Sequence, residues 1–139
     1  MIVLVDTTIW SLALRRRKSY AKDAVWVAEL SELITESRAT LIGPIRQELL
    51  SGISDPDNFE SVRRHLSAFD DLPIETGDYE EAARAFTICR AKGIQGSHID
   101  FLICAVARRY GAPVFTTDKD FTGFARHLDL VLYRPRTMG

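Results

Sequence analysis

Asp6, Glu48, Asp100, Asp118 and Asp120 are acids whose placement could do chemistry together. Asp6 closes the apolar run Ile2, Val3, Leu4 and Val5, while Asp118 and Asp120 follow Pro113, Val114, Phe115, Thr116 and Thr117. Glu48 and Asp100 fall near the starts of two helical patterns. Each has a plain structural use. Aspartate caps helices, the helix dipole favours an acid in the first turns, and Ser97-x-x-Asp100 has capping-box spacing. A cap accounts for one of Asp118 and Asp120, not for both or for the threonine pair before them. If the strand ends and helix starts converge, the carboxylates repel and raise one another's pKa. A hard divalent cation, Mg²⁺ or Mn²⁺, relieves that repulsion through oxygen ligands shared with water and a substrate phosphate. Metal-assisted attack on a phosphate ester is the chemistry that follows.

The elements that must position these acids are readable from pattern. Residues 2–5 are apolar without alternation, as in a strand covered on both faces. Asp6 or Thr7 can cap the helix carrying Ile9, Trp10 and Leu12. Residues 21–37 form an amphipathic helix pattern, and 40–42 a second strand. Pro44 suits a helix start, with Ile45 and Leu49 on its buried stripe, Glu48 beside them and Gly52 as its stop. A turn over 55–58 precedes a helix over 59–69, and 72–74 is a strand candidate weakened by Pro73. Helices follow over 78–92 and 98–110, then a fourth strand over 113–116, a short helix around 121–126 and a fifth strand over 130–132. In the helix over 98–110, Asp100 lies at the edge of the face made by Ile99, Leu102, Ile103, Val106 and Tyr110, since each residue turns the helix by about 100°. The alternation predicts an α/β fold: one domain over residues 1–139, with a mostly parallel central sheet of about five strands and helices on both faces. Ligands of such sheets bind beyond the carboxyl ends of the strands, where Asp6 and Asp118 stand.

Bulk properties set limits. A chain of 139 residues fits one domain and can bury roughly two thirds of its unfolded surface. A net charge of -1 calls for neither nucleic acid nor membrane, so attraction to RNA must come from local basic patches or a metal. Arg15, Arg16, Arg17 and Lys18 form one such patch in a loop soon after Asp6, and Arg46 another beside Glu48; both are also readable as solvated charge. Arg108, Arg109, Arg134 and Arg136 are further candidates. Cys89 and Cys104 sit in apolar helical patterns, as reduced buried thiols do, and the scattered histidines argue against zinc. With no signal peptide visible and no apolar run near the roughly 18 residues a span needs, the expected location is the cytoplasm, with no membrane partner.

The ordered set Asp6-Thr7-Thr8-x-Trp10, Arg46-x-Glu48-Leu49, Ser97-His98-Ile99-Asp100-x-Leu102-Ile103 and Thr116-Thr117-Asp118-x-Asp120-Phe121 resembles the PIN domain over nearly the whole chain. The short single domain is similar to VapC-type toxins of toxin–antitoxin pairs. The resemblance implies an endoribonuclease needing Mg²⁺ or Mn²⁺, with Asp6, Glu48, Asp100 and Asp118 as its acidic quartet and Asp6 and Asp100 foremost among the ligands. Thr8 or Thr116 would lend a supporting hydroxyl, while Asp120 matches a variable acidic position and His98 lies outside the family's core pattern. It further implies RNA as substrate, an antitoxin (VapB-like) covering the acidic cleft, and a homodimer. Trp10, Trp26 and the apolar face of the helix over 21–37 are open to either contact or to plain core packing.

Other functions fit less well. A phosphatase of the haloacid dehalogenase type wants an aspartate two positions after the first, where Thr8 stands. A receiver-like phosphoacceptor needs an acidic pair before its aspartate and has no use for Glu48 or Asp100. Within the family, a nuclease of RNA maturation or decay and an inactive RNA- or protein-binding module are the alternatives.

Overall fold

The computed structural model describes residues 1–14 and 21–138. Its centre is β1 (Val3–Val5), with all three side chains buried. β1 lies between β2 (Ala39–Thr40) and β3 (Val114–Phe115) and runs parallel to both. The register sets Val3 beside Ala39, Leu4 beside Thr40 and Val114, and Val5 beside Phe115. A strand flanked on both edges and covered on both faces has no solvent side, which is why its apolar run does not alternate.

Among the described residues three strands stand where about five were expected. The segments over 72–74 and 130–132 touch the sheet only as isolated parallel bridges, Leu41 with Asp71 and Val114 with Leu132. Leu72 donates its N–H to the Leu41 carbonyl, and Pro73, which has no N–H, ends the ladder there. On the other edge β3 stops at Phe115 as the chain turns into the acidic region, so one residue, Val114, is left to bond Val131 and Tyr133.

Helices connect these strands. α1 (Thr7–Leu14) starts directly from β1, and the Asp6 carbonyl accepts its first bonds from Ile9 and Trp10. A 3₁₀ turn over Ala21–Asp23 leads into α2 (Ala24–Thr35), so the expected single helix over 21–37 begins with a tighter turn and ends two residues early. α3 (Gly43–Leu50) carries Pro44 in its first turn. α4 (Pro56–Leu66) is capped by the Asp55 side chain, so the predicted turn over 55–58 is the helix start. α5 (Thr76–Ala91), α6 (His98–Tyr110) and α7 (Asp120–His127) complete the set. Gly111, at φ 63°, closes α6 in the left-handed conformation that an L side chain resists.

The core is one apolar cluster around β1, with Ile9, Leu30, Leu33, Ile45, Phe101, Phe115, Phe121 and Phe124 fully enclosed. Trp10 belongs to it: its indole N–H donates to the Val5 carbonyl at 3.0 Å and its ring meets Phe69 edge-on. Trp26 packs beside Phe115. Cys89 and Cys104 are buried and free, and burial pushes both thiols up in pKa, which suits inert packing. No helix among the described residues is long and apolar enough to cross a membrane.

Candidate active site

Asp6 is 5% exposed, at the carboxyl end of the central strand. Two threonines reach it from different elements. The Thr116 hydroxyl, just past β3, donates to Oδ2 at 2.7 Å, and the Thr8 hydroxyl, in the first turn of α1, donates to the same oxygen at 2.9 Å. The two hydroxyls lie 3.3 Å apart. They in turn accept backbone N–H groups, Thr8 from Thr117 at 3.1 Å and Thr116 from Asp118 at 3.0 Å. The loop after β3 is thereby sewn to the end of β1. Burial pushes the Asp6 carboxyl above the ordinary aspartate range, against the pull of Thr116 and Thr8.

Asp100 is the third residue of α6. Its Oδ2 accepts the Ser97 N–H at 2.9 Å, while the Ser97 hydroxyl accepts the Asp100 N–H at 3.1 Å. The capping box is real, and it does not remove Asp100 from the site. Burial raises the Asp100 pKa, Ser97 lowers it, and the charges of Asp118 and Asp6 raise it again. Asp118 accepts the Asp120 N–H on Oδ1 at 2.9 Å, a turn that starts α7. Asp120 itself is exposed and serves this turn through its backbone.

Asp100 therefore feels the charges of Asp6 and Asp118, which the ends of β1 and β3 bring toward the start of α6. Among the described residues no group of three or more Asp, Glu, His or Cys side chains is placed to hold a metal ion as it stands. The chemistry of the donors still suits a hard divalent cation: they are all oxygen, Asp6 and Asp100 are buried enough to be raised in pKa, and binding such an ion would relieve the like charge that Asp100 meets. Glu48 is exposed and is held by the Thr7 hydroxyl, which donates to Oε1 at 2.7 Å. Thr7 and Ser97 are the positioning groups that sequence reasoning passed over as site residues. Ser97 had left a trace in its capping-box spacing, and Thr7 one only as a candidate cap beside Asp6, with nothing to point to Glu48.

A model of the PIN domain matches residues 3–127. This chain belongs to the PIN-domain family. Curated relatives agree: a VapC ribonuclease of Mycobacterium bovis and ribonuclease VapC11 of Mycobacterium tuberculosis are each 30% identical over 133 residues, covering 93% of this chain and 96% of the relative. Solved structures share the fold. The crystal structure of FitAcB from Neisseria gonorrhoeae matches at a TM-score of 0.76 and 21% identity, covering 96% of this chain and 98% of that one. VapBC2 from Rickettsia felis, bound to a promoter DNA fragment, matches at 0.74 and 21% over the same shares.

Several arginines expected to meet RNA are engaged elsewhere in this PIN domain. Arg46 donates to Asp71 and to the Leu66 and Phe69 carbonyls, clasping the loop after α4. Its three bonded nitrogens leave little to offer an RNA phosphate. Arg109 grips buried Asp78 with two bonds of 2.8 Å and also reaches the Pro73 carbonyl. Arg136 bonds Glu29 and Glu36. Arg15, Arg16, Arg17 and Lys18 lie outside the described residues. His98 is an exposed residue stacked on Phe86.

Proposed function

We propose that this PIN domain is the toxin of a toxin–antitoxin pair, an endoribonuclease that hydrolyses RNA phosphodiester bonds with Mg²⁺ or Mn²⁺ held by Asp6, Asp100, Asp118 and Glu48. The observation that carries this reading is the buried Asp6, fixed by two threonine hydroxyls and facing two further aspartates at strand and helix ends. A structural protein gains nothing from gathering like charges in a part-buried cleft. The names of the VapC relatives supply the ribonuclease part of the proposal, and the toxin part accords with VapBC-5 of Mycobacterium tuberculosis, a structural neighbour described as a member of a toxin–antitoxin family.

The chain's own residues do the holding. Thr8 and Thr116 fix the Asp6 carboxylate, Ser97 fixes Asp100, the Asp120 amide fixes Asp118 and Thr7 fixes Glu48. A scissile phosphate is thus presented to oriented acids rather than to mobile ones, which lowers the entropic cost of alignment. When bound, the cation lowers the pKa of a water and offsets charge on the phosphate and the leaving oxygen. The domain works as a homodimer in the cytoplasm, and its activity is restrained by an antitoxin that covers the acidic cleft. The VapBC and FitAB complexes among its structural neighbours accord with such a partner.

The test is cleavage of total RNA by the purified chain in Mn²⁺ or Mg²⁺, with ends mapped. Cleavage abolished by Asp100→Asn and by EDTA is expected. Cleavage that persists in EDTA sinks the metal assignment, and a parent chain that binds RNA without cutting it is an inactive module.

A further inference from the structure

A groove runs away from the acids along the loop between α5 and α6. Its first part, a cavity of about 460 Å³, is lined by Lys119, Asp120, Gly123, Gly93, Ile94 and Gln95. It shares Ile94 and Gln95 with a second cavity of about 260 Å³ that ends on Phe86, Arg90 and Phe101. Each part is joined to the proposed active site through the chain. Lys119 lies between Asp118 and Asp120 in the chain, and Gly96, on the wall of the second cavity, precedes the Ser97 whose amide holds Asp100 at 2.9 Å.

The groove's chemistry is mixed. Phe86, Phe101 and Ile94 give it an apolar wall, and Gln95 adds an amide that can both donate and accept. Arg90 lies over the Phe86 ring at 5.9 Å. Among the described residues neither Arg90 nor Lys119 enters an ion pair, whereas Arg46, Arg109 and Arg136 are all committed to carboxylates. Of the described cations that stand outside the ion pairs, Arg90 and Lys119 are the two that line this path, where they can meet an acidic polymer. Aromatic wall, guanidinium and amide together are what an unstacked base and its phosphate need.

We propose that this groove is a nucleotide subsite, taking an unpaired base of the RNA next to the scissile bond against Phe86 and Gln95, with Arg90 and Lys119 on its backbone. The proposal rests on the ribonuclease reading and deepens it, because base choice beside the cut would be set here rather than by the acids.

The experiment uses the full chain, its Arg90→Gln, Gln95→Ala and Phe86→Leu variants, and single-stranded RNA randomised around the cut, in Mn²⁺. Arg90 and Gln95 are exposed, so their variants keep the fold, which thermal unfolding checks. KM is expected to rise about tenfold in Arg90→Gln and Phe86→Leu with kcat little changed, as the loss of one base contact implies. Base preference at one flanking position flattens in Gln95→Ala, and Arg90→Gln lowers the salt slope of KM by about 0.7. Unchanged KM, salt slope and base profile overturn the subsite while leaving the ribonuclease reading intact. Unchanged RNA kinetics with weakened antitoxin binding give the groove to protein and overturn it as well. Crosslinking of a 4-thiouridine RNA, mapped by mass spectrometry, decides the subsite without catalysis. A crosslink within residues 86–96 supports it and a crosslink only elsewhere refutes it, whereas failure of the parent chain to cut RNA at all counts against the ribonuclease reading alone.

Discussion

Asp6→Asn makes a prediction in which stability and activity move in opposite directions. Asparagine keeps the shape of aspartate and one oxygen to accept the Thr116 and Thr8 hydroxyls, now at 2.7 and 2.9 Å. It removes a charge whose burial is the largest influence on that carboxyl. The sign follows from linkage. The native pKa is raised, so between the unfolded value near 3.8 and that raised value the native state holds more protons. Stability of the metal-free protein therefore falls as pH climbs through this window, by about 1.4 kcal/mol for each unit of displacement. Asparagine escapes that loss but weakens two hydrogen bonds that had a charged acceptor, an offset of about 1 kcal/mol. The net expectation at pH 7 is a variant more stable than the parent, by about 1.4 kcal/mol per unit of displacement less that offset. The gap closes as pH falls through the raised native value toward the unfolded one near 3.8, where both states become protonated. Metal reverses the order: Mn²⁺ at ten times its Kd stabilises the parent by about 1.4 kcal/mol and the variant little. Urea unfolding from pH 4 to 8, in EDTA and in Mn²⁺, reads all of this, with RNA cleavage alongside. A variant less stable than the parent in EDTA at pH 7, or one that gains equally from Mn²⁺, refutes the reasoning.

Three other perturbations separate site from scaffold. Thr116→Val deletes the shorter of the two hydroxyl bonds to Asp6 and a partner of the Asp118 amide; cleavage should drop about 10- to 100-fold with Tm little moved, read by single-turnover kinetics and calorimetry. Asp78→Ala leaves Arg109 without its 2.8 Å partner and should cost about 2 kcal/mol, a figure discounted because the Arg109 side chain is 33% exposed. Arg109 holds the Asp78 carboxyl below its usual range, so the difference from the parent is full above pH 4 and fades as pH falls below it, as urea titration should show. Gly96→Ala places a Cβ 2.6 Å from the Phe124 ring and 3.1 Å from Phe101; a loss of about 2 kcal/mol is expected, relieved in Gly96→Ala/Phe124→Leu, which a double-mutant cycle measures.

What the sequence revealed depended on how local the cause was. β1 was legible because complete burial writes an unbroken apolar run that ends at Asp6. α6 was legible because its cap, apolar face and closing Gly111 lie within fifteen or so residues, an ordinary helix length. The segments over 72–74 and 130–132 misled, since an isolated bridge such as Val114 with Leu132 needs no strand although the local apolar run reads as one. The fates of the arginines were not legible. The partner of Arg109 is 31 positions away and that of Arg136 is 107 away, distances at which spacing carries no information. Glu48 was found by its place near a helix start, beside the stripe of Ile45 and Leu49, but its hydrogen bond to Thr7 spans 41 positions and could come only from the fold. Asp120, expected as a supporting acid, contributes its amide, a group no sequence pattern distinguishes.

The competition between cap and site that each acid posed is a false one in this fold. Asp100 is a capping-box residue and also feels the charges of Asp6 and Asp118. Asp118 receives the Asp120 amide as α7 begins, and the Asp6 carbonyl receives the first bonds of α1 while its carboxylate receives two hydroxyls. Each acid has one oxygen tethered: Oδ2 in Asp6 and Asp100, Oδ1 in Asp118, Oε1 in Glu48. The tether orients the carboxylate, and where the donor is a helix-start N–H it also offsets part of the repulsion that gathering such charges creates. On the proposed reading the capping bonds therefore also align the acids toward the cation. Ser97→Ala should reveal this double role, since a helix cap alone would cost about 1 kcal/mol and leave cleavage per folded molecule unchanged. A fall in both Mn²⁺ affinity and cleavage, beyond what the lost stability explains, is the outcome this geometry requires; unchanged metal affinity would reduce Asp100 to a cap that happens to sit near the site.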